Sequence, residues 1–416
     1  MKITKCRICG GVHFEEIINL GNQKFTGIFP ASVAEPVWGG ELRLVKCVTD
    51  GGCGLVQLDE TFDLNQMYGD NYGYHSSLNS SMVDHLEEIV SEAVGRVKLN
   101  EKDFIIDIGS NDGTLLSRYL TEGRSDMKLL LLGIDPTGSK FRKYYKEGIM
   151  LVEEFFSADA ISKAMPGRKA RIVTSIAMFY DLEDPIAFAK DVRKVLDNNG
   201  IWIMEQSYLP LMMERNAYDT ICHEHVEFYS LKQIDYIAGH AGLKIIDVSL
   251  NDTNGGSFRV TLAKQESYYE ISCAVKELLR KEISDCVDTI SYFDNFVNNI
   301  KRNKNELLSF LNDAKKNKKI VLGYGASTKG NVILQYCGIG TDLISAIVEV
   351  NSDKYGHITP GTNIPIISEE EGRKRNPDYL VVFPWHFKCN ILDKEASYIK
   401  ESGVKFVFPL PEVEVI

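Results

Sequence analysis

The chain has 416 residues, enough for two or three domains that each bury a core of their own. Its hydrophobic content of 44% and charged content of 25% are typical of a globular protein. A formal net charge of -11 argues against a nucleic-acid groove as the main surface, because phosphate binding requires clustered lysine and arginine. The N-terminus has no apolar signal region and no stretch reaches the length of a membrane span, so the sequence predicts a cytoplasmic protein without a membrane partner.

The nine cysteines, in a chain without a secretory signal, indicate metal ligands or buried thiols rather than disulfides. Cys6 and Cys9 have the spacing of a zinc knuckle, whereas Cys47 and Cys53 have five residues between them, including two glycines that let the loop fold back. We expect the four thiolates to bind one structural zinc, since four protein ligands leave no position open for a substrate. Two unrelated buried cysteine pairs are the alternative, and His13 is an alternative ligand.

An apolar strand that breaks into an acidic, glycine-bearing turn is the central motif, and it occupies residues 103–113. The run from Phe104 to Ile108 is predicted to be a strand buried on both faces, and Gly109 and Gly113 let the backbone turn tightly beside a ligand. A second buried strand ends at Asp135, where a doubly wound sheet places the acid that meets ribose hydroxyls.

The carboxylates in this turn discriminate between cofactors. A dinucleotide turn presents bare backbone N–H groups to phosphates and avoids acids, whereas Asp107 and Asp112 suit a cationic ligand. The turn therefore favours S-adenosylmethionine, whose sulfonium and amino groups are positive, and it resembles motif I of the class I methyltransferases. A strand and tight turn of any α/β domain is the alternative.

Strands and helices alternate around this motif, which predicts a doubly wound α/β fold with a parallel sheet. The expected helices cover residues 79–97, 158–165 and 184–195, the last opened by Pro185. The expected strands cover residues 171–177 and 201–205, and Asn199 and Gly200 form a turn before the second of them.

The regular pattern stops at residues 216–230, which mix histidines, acids and aromatics just past the C-terminal end of a strand. Open α/β sheets bind ligands at this position, so we identify this stretch as catalytic. An extended backbone would place His223 and His225 on one face and Glu224 on the other. The spacing differs from that of a zinc metalloprotease, because such close neighbours cannot converge from one helical face.

Two further segments have the composition of binding loops. Residues 67–77 are dense in tyrosine, glycine and hydroxyls, with packing at a domain junction as the alternative. Residues 254–260 couple a glycine turn to a strand carrying Arg259. This turn either holds an anionic group or is a hairpin with an exposed arginine.

Residues 318–331 begin a second nucleotide-fold unit, in which a strand runs into a glycine turn and a helix start bearing hydroxyls and Lys329. These groups suit a diphosphate. A structural turn is the alternative, because Thr328 replaces the third glycine of the dinucleotide fingerprint. A strand over residues 343–350 ends beside Glu349, and residues 379–386 are a later strand with a ligand-side tail.

In their order along the chain, these motifs resemble the nucleotide-sugar C-methyltransferases of deoxysugar biosynthesis, class I S-adenosylmethionine-dependent enzymes that build branched sugars. The resemblance rests on the N-terminal cysteines with GLVQL, and on YGYHSS, DIGSNDG, HEHVEFYS, NGGSFRV, GYGASTKGN and CGIG. It implies a zinc-binding module (residues 1–65), a methyltransferase domain (66–265), a helical connector (266–315) and a C-terminal Rossmann-like domain (316–416) that helps to hold a nucleoside-diphosphate keto-sugar. The wide second cysteine pair, Cys222, Tyr180 and Asp181 depart from the family pattern.

The resemblance also implies roles for individual residues. A ketone at carbon 4 acidifies the hydrogen on carbon 3, so that a base can form an enolate that attacks the sulfonium methyl. His225 is the expected base, Glu224 orients substrate or base, and Tyr74 hydrogen-bonds the developing enolate oxygen. The expected cofactor contacts are Tyr74, Ser76, Asp107, Gly109, Asn111, Asp112, Gly113, Asp135 and Ser175. The expected substrate contacts are Tyr72, His75, His223, Asn254, Gly255, Gly256, Ser257, Arg259, Tyr324, Ser327 and Lys329.

Two other functions are compatible with the sequence. An NAD(P)-dependent nucleotide-sugar oxidoreductase would use Gly323, Gly325 and Glu349 to bind its dinucleotide. The missing third glycine and the better cofactor turn at residues 107–113 argue against this function. A non-enzymatic zinc-module binding protein would not bind S-adenosylmethionine. The sequence leaves open the sugar, the nucleotide, the methylated carbon and the stereochemistry. It also leaves open the oligomeric state, and a monomer is compatible with it.

Overall fold

The structure of the chain is a computed structural model that describes residues 1–62, 75–121 and 124–416. The described strands form three sheets, of four, seven and six strands. Among the described residues, no helix combines the length and the apolar character that crossing a bilayer requires.

The N-terminal sheet is antiparallel and is completed by a strand from far along the chain. β1 (Phe14–Lys24) pairs with β2 (Gly39–Cys47), and β2 pairs with β3 (Val56–Leu58). β9 (Glu227–Phe228) pairs with β3 on its other side. The predicted catalytic stretch therefore runs directly into a strand of the N-terminal sheet.

Seven strands form the central sheet: β4 (Phe104–Ile108), β5 (Leu130–Ile134), β6 (Ile149–Val152), β7 (Ala170–Ile176), β8 (Leu196–Ser207), β10 (Leu243–Asn251) and β11 (Ser257–Lys264). Their spatial order is β6-β5-β4-β7-β8-β11-β10. Pairing is parallel from β6 to β8, whereas β11 is antiparallel to both of its neighbours. The sheet predicted to be parallel is therefore mixed.

Alternate residues of β4 pack on opposite faces of the central sheet, as a strand period of two requires. Ile105 belongs to a core with the first helix, and Ile106 belongs to a core on the other face. The helices around this sheet are α1 (Ser80–Arg96), α2 (Thr114–Ser117), α3 (Gly138–Phe141), α4 (Ala158–Ala164), α5 (Pro185–Val195), α6 (Leu209–Glu214), α7 (Leu231–Ala241) and α8 (Cys273–Ser284).

Sequence capping signals explain where two of these helices begin. The Asn79 side chain accepts a hydrogen bond from the Ser81 amide at the start of α1. The Asp184 side chain accepts from the Ala187 amide, and Pro185 occupies the first position of α5. Both helices begin within one residue of the predicted positions.

The predicted turn at Asn199 and Gly200 is a bulge within β8 rather than a chain reversal, because residues 197–200 lie between the pairs Leu196–Ala170 and Ile201–Ile172. A methyl group added at Gly200 would lie 2.6 Å from the Ala170 carbonyl oxygen on β7. The glycine is thus required by close approach of two backbones within the sheet rather than by a chain reversal.

The C-terminal sheet contains β12 (Val321–Tyr324), β13 (Ile347–Glu349), β14 (Ile366–Ser368), β15 (Tyr379–Val382), β16 (Lys405–Phe408) and β17 (Glu414–Val415). Its order is β14-β13-β12-β15-β16-β17, with all pairs parallel except the last. Its helices are α9 (Asp294–Lys316), α10 (Thr328–Cys337), α11 (Glu369–Lys374) and α12 (Lys388–Ser402).

The two helices of the predicted connector pack on different cores. Val275 and Leu278 of α8 join the core of the central sheet. Ile300 and Leu307 of α9 join a core that contains the C-terminal sheet and part of the N-terminal one. The chain therefore changes cores between α8 and α9.

Candidate active site and zinc centre

Four cysteine sulfurs from the N-terminal sheet and its loops converge at one point. The Sγ atoms of Cys6, Cys9, Cys47 and Cys53 all lie within 4.8 Å of one another, with Cys6–Cys53 at 3.5 Å and Cys9–Cys47 at 3.7 Å. Zn–S bonds of about 2.3 Å in a tetrahedron require sulfur separations of about 3.8 Å, so the thiolates fit zinc. The predicted four-cysteine site is confirmed. His13 is exposed and lies outside the cluster.

A tight turn accommodates the wide spacing of the second cysteine pair. Gly51 adopts φ +68°, and the Gly52 amide donates to the Thr49 carbonyl at 2.8 Å. The left-handed conformation suits glycine because it has no Cβ. The turn brings Cys53 back beside Cys6.

The turn after β4 has the tight backbone that its glycines predict. Gly109 and Gly113 have φ of +69° and +74°, and Asn111 between them is also left-handed, with φ of 50°. The Asn111 amide donates to Asp135 Oδ2 at 2.8 Å, and Asp135 Oδ1 accepts from the Thr137 amide at 2.7 Å. Asp135 thereby joins the end of β5 to the turn.

Two of the predicted cofactor contacts hold this turn in place. The Asp112 carboxylate accepts from the amides of Ser77 at 2.9 Å and Thr114 at 3.1 Å. Burial favours the neutral acid, but these hydrogen bonds outweigh it and lower the pKa of Asp112. The Ser76 amide donates to Asn111 Oδ1 at 3.0 Å, so the loop before α1 is fastened to the turn.

His75 lies in the same loop and faces Asp112 and an aromatic ring. Its imidazole stacks on Tyr144 with centroids 4.9 Å apart, and its Nδ1 is 3.3 Å from Asp112 Oδ2. Tyr72 and Tyr74, predicted to contact substrate and cofactor, lie outside the described residues.

Asp107 is a buried acid beside the cofactor turn. Its Oδ1 accepts from Thr174 Oγ1 at 2.6 Å. Burial raises the pKa of Asp107 to about 7, and Asp135 adds to the rise while the Thr174 hydroxyl opposes it. No lysine or arginine of the described chain forms an ion pair with Asp107 or Asp135. The edge of the sheet therefore fits a ligand that carries its own positive charge, as S-adenosylmethionine does.

Ser175 is not a cofactor contact, and the prediction for it is wrong. The side chain is fully buried and its hydroxyl accepts from Trp202 Nε1 at 2.9 Å. The hydroxyl that was expected to face the cofactor is therefore hydrogen-bonded to an indole of the neighbouring strand β8.

His225 has its imidazole fixed in one tautomer. Nδ1 lies 2.9 Å from the Thr220 carbonyl oxygen, which can only accept, so Nδ1 carries the proton and Nε2 keeps its lone pair. Burial, together with the nearby Lys329 ammonium, lowers the pKa of His225 to about 3. The ring is therefore neutral at physiological pH.

A short segment after β7 connects the cofactor turn to His225. A methyl group added at Gly109 would lie 3.1 Å from Met178 Cγ, so Met178 packs directly on the turn. Two residues later, the Tyr180 ring packs on the imidazole of His225 with centroids 4.0 Å apart. The crevice beside the imidazole is lined by Tyr180, Ser207, Leu209, Met212, His225, Glu227 and Phe228.

Glu224 lies beside the loop that follows β1. It is buried, and burial raises the pKa of its carboxyl group. A methyl group added at Gly27, after β1, would lie 2.8 Å from Glu224 Oε1 and 3.7 Å from Thr328 Oγ1. The acid next to His225 is thus enclosed by residues from both ends of the chain.

His223 is a packing residue, so the predicted substrate contact there is wrong. Its ring lies between Phe25 and Phe62, at centroid distances of 5.0 and 4.7 Å, and Nε2 donates to the Gly40 carbonyl at 3.3 Å. The segment is turned rather than extended, as the His225 amide bonds to the Cys222 carbonyl. The two histidines therefore have different surroundings.

Arg259 is already neutralised within the protein, so the predicted anion contact is wrong. Its Nε donates to Glu205 and its Nη1 to Glu92, both at 2.8 Å, and the side chain is buried. A buried guanidinium with two carboxylate partners has no charge left for a substrate phosphate.

The glycine turn before β11 is held against the C-terminal sheet. Asn254, Gly255 and Gly256 have φ of 55°, 90° and 122°. Lys329 Nζ donates to the Asn254 carbonyl at 2.7 Å, and a methyl group at Gly255 would lie 3.3 Å from the Trp385 ring. Ser257 donates its hydroxyl to the Thr253 carbonyl.

Most polar groups of the second nucleotide-fold turn are engaged by the protein. The Ser327 hydroxyl caps α10 by accepting from the Gly330 amide. Tyr324 donates to Glu395 at 3.1 Å, so the predicted substrate contact at Tyr324 is wrong. Glu349 accepts from the Ala326, Val350 and Asn351 amides, so this carboxylate holds the backbone of the turn. Lys329, with three N–H donors and one described acceptor, is the group that can still bind an anion.

The sequence missed several residues of this cleft. Trp385 Nε1 donates to Asp219 Oδ2 at 2.8 Å, which joins the C-terminal sheet to the catalytic stretch. Burial raises the pKa of Glu227, beside His225, to about 8. Asp219 and Glu227 lie in the stretch identified as catalytic and Trp385 lies in the predicted ligand-side tail of residues 379–386, but none of the three was assigned a role from the sequence.

Comparisons with known proteins cover nearly the whole chain. Residues 6–68 match the family described as "Putative zinc binding domain", residues 81–248 match "Methyltransferase domain", and residues 252–411 match "C-methyltransferase C-terminal domain". The C-methyltransferase NovU of Streptomyces niveus is 28% identical over 417 residues, covering 100% of this chain and 97% of that protein.

Solved structures resemble only part of the chain. An S-adenosylmethionine-dependent methyltransferase from Clostridium acetobutylicum aligns with 44% of this chain and 92% of its own, at 14% identity and a TM-score of 0.33. An O-methyltransferase family protein from Burkholderia thailandensis aligns with 46% of this chain and 57% of its own, at 16% identity and a TM-score of 0.34. These scores are too low to support an inference about function.

The order of the three matched families agrees with the geometry of the chain, in which a four-cysteine cluster precedes an α/β sheet with an acidic cofactor turn. The central sheet has the class I methyltransferase fold. The chain carries the zinc-binding, methyltransferase and C-terminal domains that these C-methyltransferase families describe, and it is an S-adenosylmethionine-dependent methyltransferase with a structural zinc.

Proposed function

We propose that this protein methylates carbon 3 of a nucleoside-diphosphate 4-keto-deoxysugar, and that His225 removes the proton alpha to the ketone. The observation that carries the proposal is the neutral imidazole of His225, which is fixed by Thr220 and whose Nε2 has no hydrogen-bond partner among the described residues. Its crevice is linked to the cofactor turn through the segment that carries Met178 and Tyr180. Such a nitrogen can accept a proton without first losing one.

C-methylation explains why the site needs a base. A carbon atom becomes nucleophilic only when a C–H proton is removed, and a neighbouring ketone makes that removal feasible by spreading the charge onto oxygen. S-adenosylmethionine, when bound, supplies an electrophilic methyl group on a positive sulfur. The chain supplies the base, the orientation and the exclusion of water.

The charge of Lys329 connects substrate binding to the basicity of His225. The ammonium lowers the pKa of His225 and is the cation of the second nucleotide-fold turn that remains able to pair. A substrate diphosphate beside Lys329 would cancel its effect and make the imidazole a stronger base. This arrangement supports an anionic nucleotide-linked substrate.

The remaining roles follow from position. Glu224 would orient the substrate or His225 from the adjoining buried position, and Tyr74 would hydrogen-bond the enolate oxygen. Around Lys329 we assign substrate contacts to Ser327 and to the turn Asn254, Gly255, Gly256 and Ser257. His75, which lies beside the cofactor turn, and Tyr72 are assigned on the sequence alone.

We assign the cofactor to the turn between β4 and β5. Asp135 would meet the ribose hydroxyls, Asp107 would face the positive end of the ligand, and Gly109 and Gly113 would allow close approach. Asn111, Asp112 and Ser76 act mainly by holding the turn in this shape, through the hydrogen bonds that they share.

S-adenosylmethionine binding is expected to weaken as the pH falls below about 7. Burial raises the pKa of Asp107 to about 7 in the free protein, so that the carboxyl group becomes neutral below this pH and no longer attracts the positive ligand. A bound cation favours the ionised acid, so the Kd should rise by up to about tenfold per pH unit on the acid side. Calorimetric titration from about pH 6 to pH 8 measures this dependence.

Asp107→Asn should bind the cofactor more weakly and with little dependence on pH over the same range. The exposed carboxylate variant Asp126→Asn is the matched control and should follow the wild-type curve. A pH-independent Kd in the wild-type protein would contradict the role of Asp107.

The substrate proposal is tested by incubating the protein with methyl-labelled cofactor and a panel of nucleoside-diphosphate sugars. Label should be incorporated into 4-keto-6-deoxysugars and not into the corresponding 4-hydroxy sugars, which lack the acidifying ketone. Fragmentation of the product locates the new methyl group. Label only in the 4-hydroxy sugars would refute the enolate mechanism, whereas NAD(P)-dependent turnover would favour the oxidoreductase alternative.

A further inference from the structure

The catalytic stretch is built into the sheet of the N-terminal module, which we define as residues 1–62. β9 begins two residues after His225 and pairs with β3, with Phe228 opposite Val56. The Leu58 amide donates to the Val226 carbonyl at 2.9 Å. The carbonyl of the residue next to His225 is therefore hydrogen-bonded to the module, whereas its amide donates to the Tyr180 carbonyl of the segment after β7, at 3.0 Å.

Arg7 connects this pairing to the zinc centre. It lies between the zinc ligands Cys6 and Cys9 in the sequence. Its Nη1 donates to the Leu58 carbonyl at 2.7 Å and to the Val226 carbonyl at 3.4 Å. One guanidinium thus reaches from the zinc loop to the backbone beside His225.

The turn after β1 reaches the other member of the proposed catalytic pair. The Gly27 Cα lies against Glu224, since a methyl group there would be 2.8 Å from Oε1. The turn is fixed from the C-terminal side by Asn331, whose Nδ2 donates to the Thr26 carbonyl at 2.7 Å. Gly27 is absent from the residues with positive φ, so its backbone does not require glycine.

We propose that the N-terminal module is part of the catalytic centre, with Gly27 as the positioning residue that sets the place of the Glu224 carboxylate. The inference rests on the proposed role of Glu224 in catalysis. The absence of a side chain at Gly27 is explained by the space that the carboxylate occupies, because the backbone itself would tolerate alanine. Zinc then stabilises the geometry of the reaction site through the module, without touching a substrate.

Gly27→Ala tests the proposal, because the added methyl group must displace Glu224 Oε1. We expect kcat to fall by about 100-fold with a labelled-cofactor assay on a nucleoside-diphosphate 4-keto-6-deoxysugar, while the Kd for S-adenosylmethionine and the Tm remain near wild type. In a Glu224→Gln background, the same substitution should have little further effect on kcat. Gly95→Ala is the matched control, since a methyl group there meets no atom within 4 Å.

A second readout separates this inference from the substrate proposal. The carboxyl carbon of Glu224 is followed by NMR in protein labelled at glutamate side chains, assigned by its loss in Glu224→Gln. Gly27→Ala should move this signal and its titration, and Gly95→Ala should not. Should Gly27→Ala fail to fold, Asn331→Ala, which frees the Thr26 carbonyl, takes its place with the same expectation.

An unchanged Glu224 signal in the folded Gly27 variant overturns the inference, whatever happens to kcat. A shifted signal with unchanged kcat also overturns it, because Glu224 is then displaced without consequence for the reaction. If the wild-type protein methylates no sugar of the panel, the substrate proposal fails, and the NMR signal alone decides whether Gly27 positions Glu224.

Discussion

Replacing His225 by alanine is expected to lower kcat for methyl transfer by about 100- to 10,000-fold, while the Kd for S-adenosylmethionine stays close to wild type. Among the described residues, the imidazole is hydrogen-bonded through Nδ1 only, so its Nε2 lone pair has no hydrogen-bond partner in the crevice that it lines with Tyr180. The cofactor turn itself makes no hydrogen bond to His225 among the described residues, so cofactor binding should not depend on the imidazole. Single-turnover transfer of labelled methyl and calorimetry measure the two effects.

A more conservative variant separates basicity from structure. His225→Asn can keep the hydrogen bond to the Thr220 carbonyl through its side-chain amide, but it has no basic nitrogen. It should therefore be nearly as inactive as the alanine variant and fold as well as the wild type. The exposed His240→Ala is the control and should be fully active. Near-normal turnover by the asparagine variant would remove His225 as the base.

Replacing Cys53 by serine is expected to abolish stoichiometric zinc and to lower the Tm by on the order of 10 °C. Metal binding contributes directly to folding in small zinc modules, with apparent energies of about 10 to 16 kcal/mol at neutral pH. The cysteines also belong to the apolar core shared with the central sheet, so a released module would expose part of that core. Elemental analysis gives the zinc content, and scanning calorimetry gives the Tm.

The exposed Cys389→Ser is the matched control for a cysteine replacement away from the cluster. It should keep one zinc per chain and the wild-type Tm. Removing zinc from the wild-type protein with a chelator should reproduce the lower Tm of Cys53→Ser. A wild-type protein that contains no zinc, or a Cys53 variant of unchanged stability, would contradict a structural metal at this cluster.

Local chemistry explains why some features could be predicted. Gly109 and Gly113 are needed where the backbone turns with positive φ, and an acid after each of two buried strands marks the edge of a parallel sheet. The cysteine set was recognisable because thiolates have few other uses in such a chain. The second pair, Cys47 and Cys53, reaches the metal site only through the turn at Gly51, and the two glycines of the sequence indicated this turn.

Errors in the candidate site arose where the partner of a side chain comes from elsewhere in the chain. Arg259 and His223 carry groups that can bind ligands, yet Glu92 and Glu205 neutralise the first and two phenylalanines of the N-terminal module enclose the second. The Ser175 hydroxyl accepts a hydrogen bond from an indole of the neighbouring strand. No spacing along the sequence reports these partners.

The sequence by itself determined the chemistry available to this protein: four thiolates, an acidic cofactor turn and an imidazole beyond the sheet. Only the tertiary structure decided which groups remain free to act, because availability depends on burial and on hydrogen-bond partners that distant segments supply. It also decided that Glu224 lies against Gly27 and that the strand following His225 pairs with β3, since a pairing such as β3 with β9 is set by packing across the whole chain.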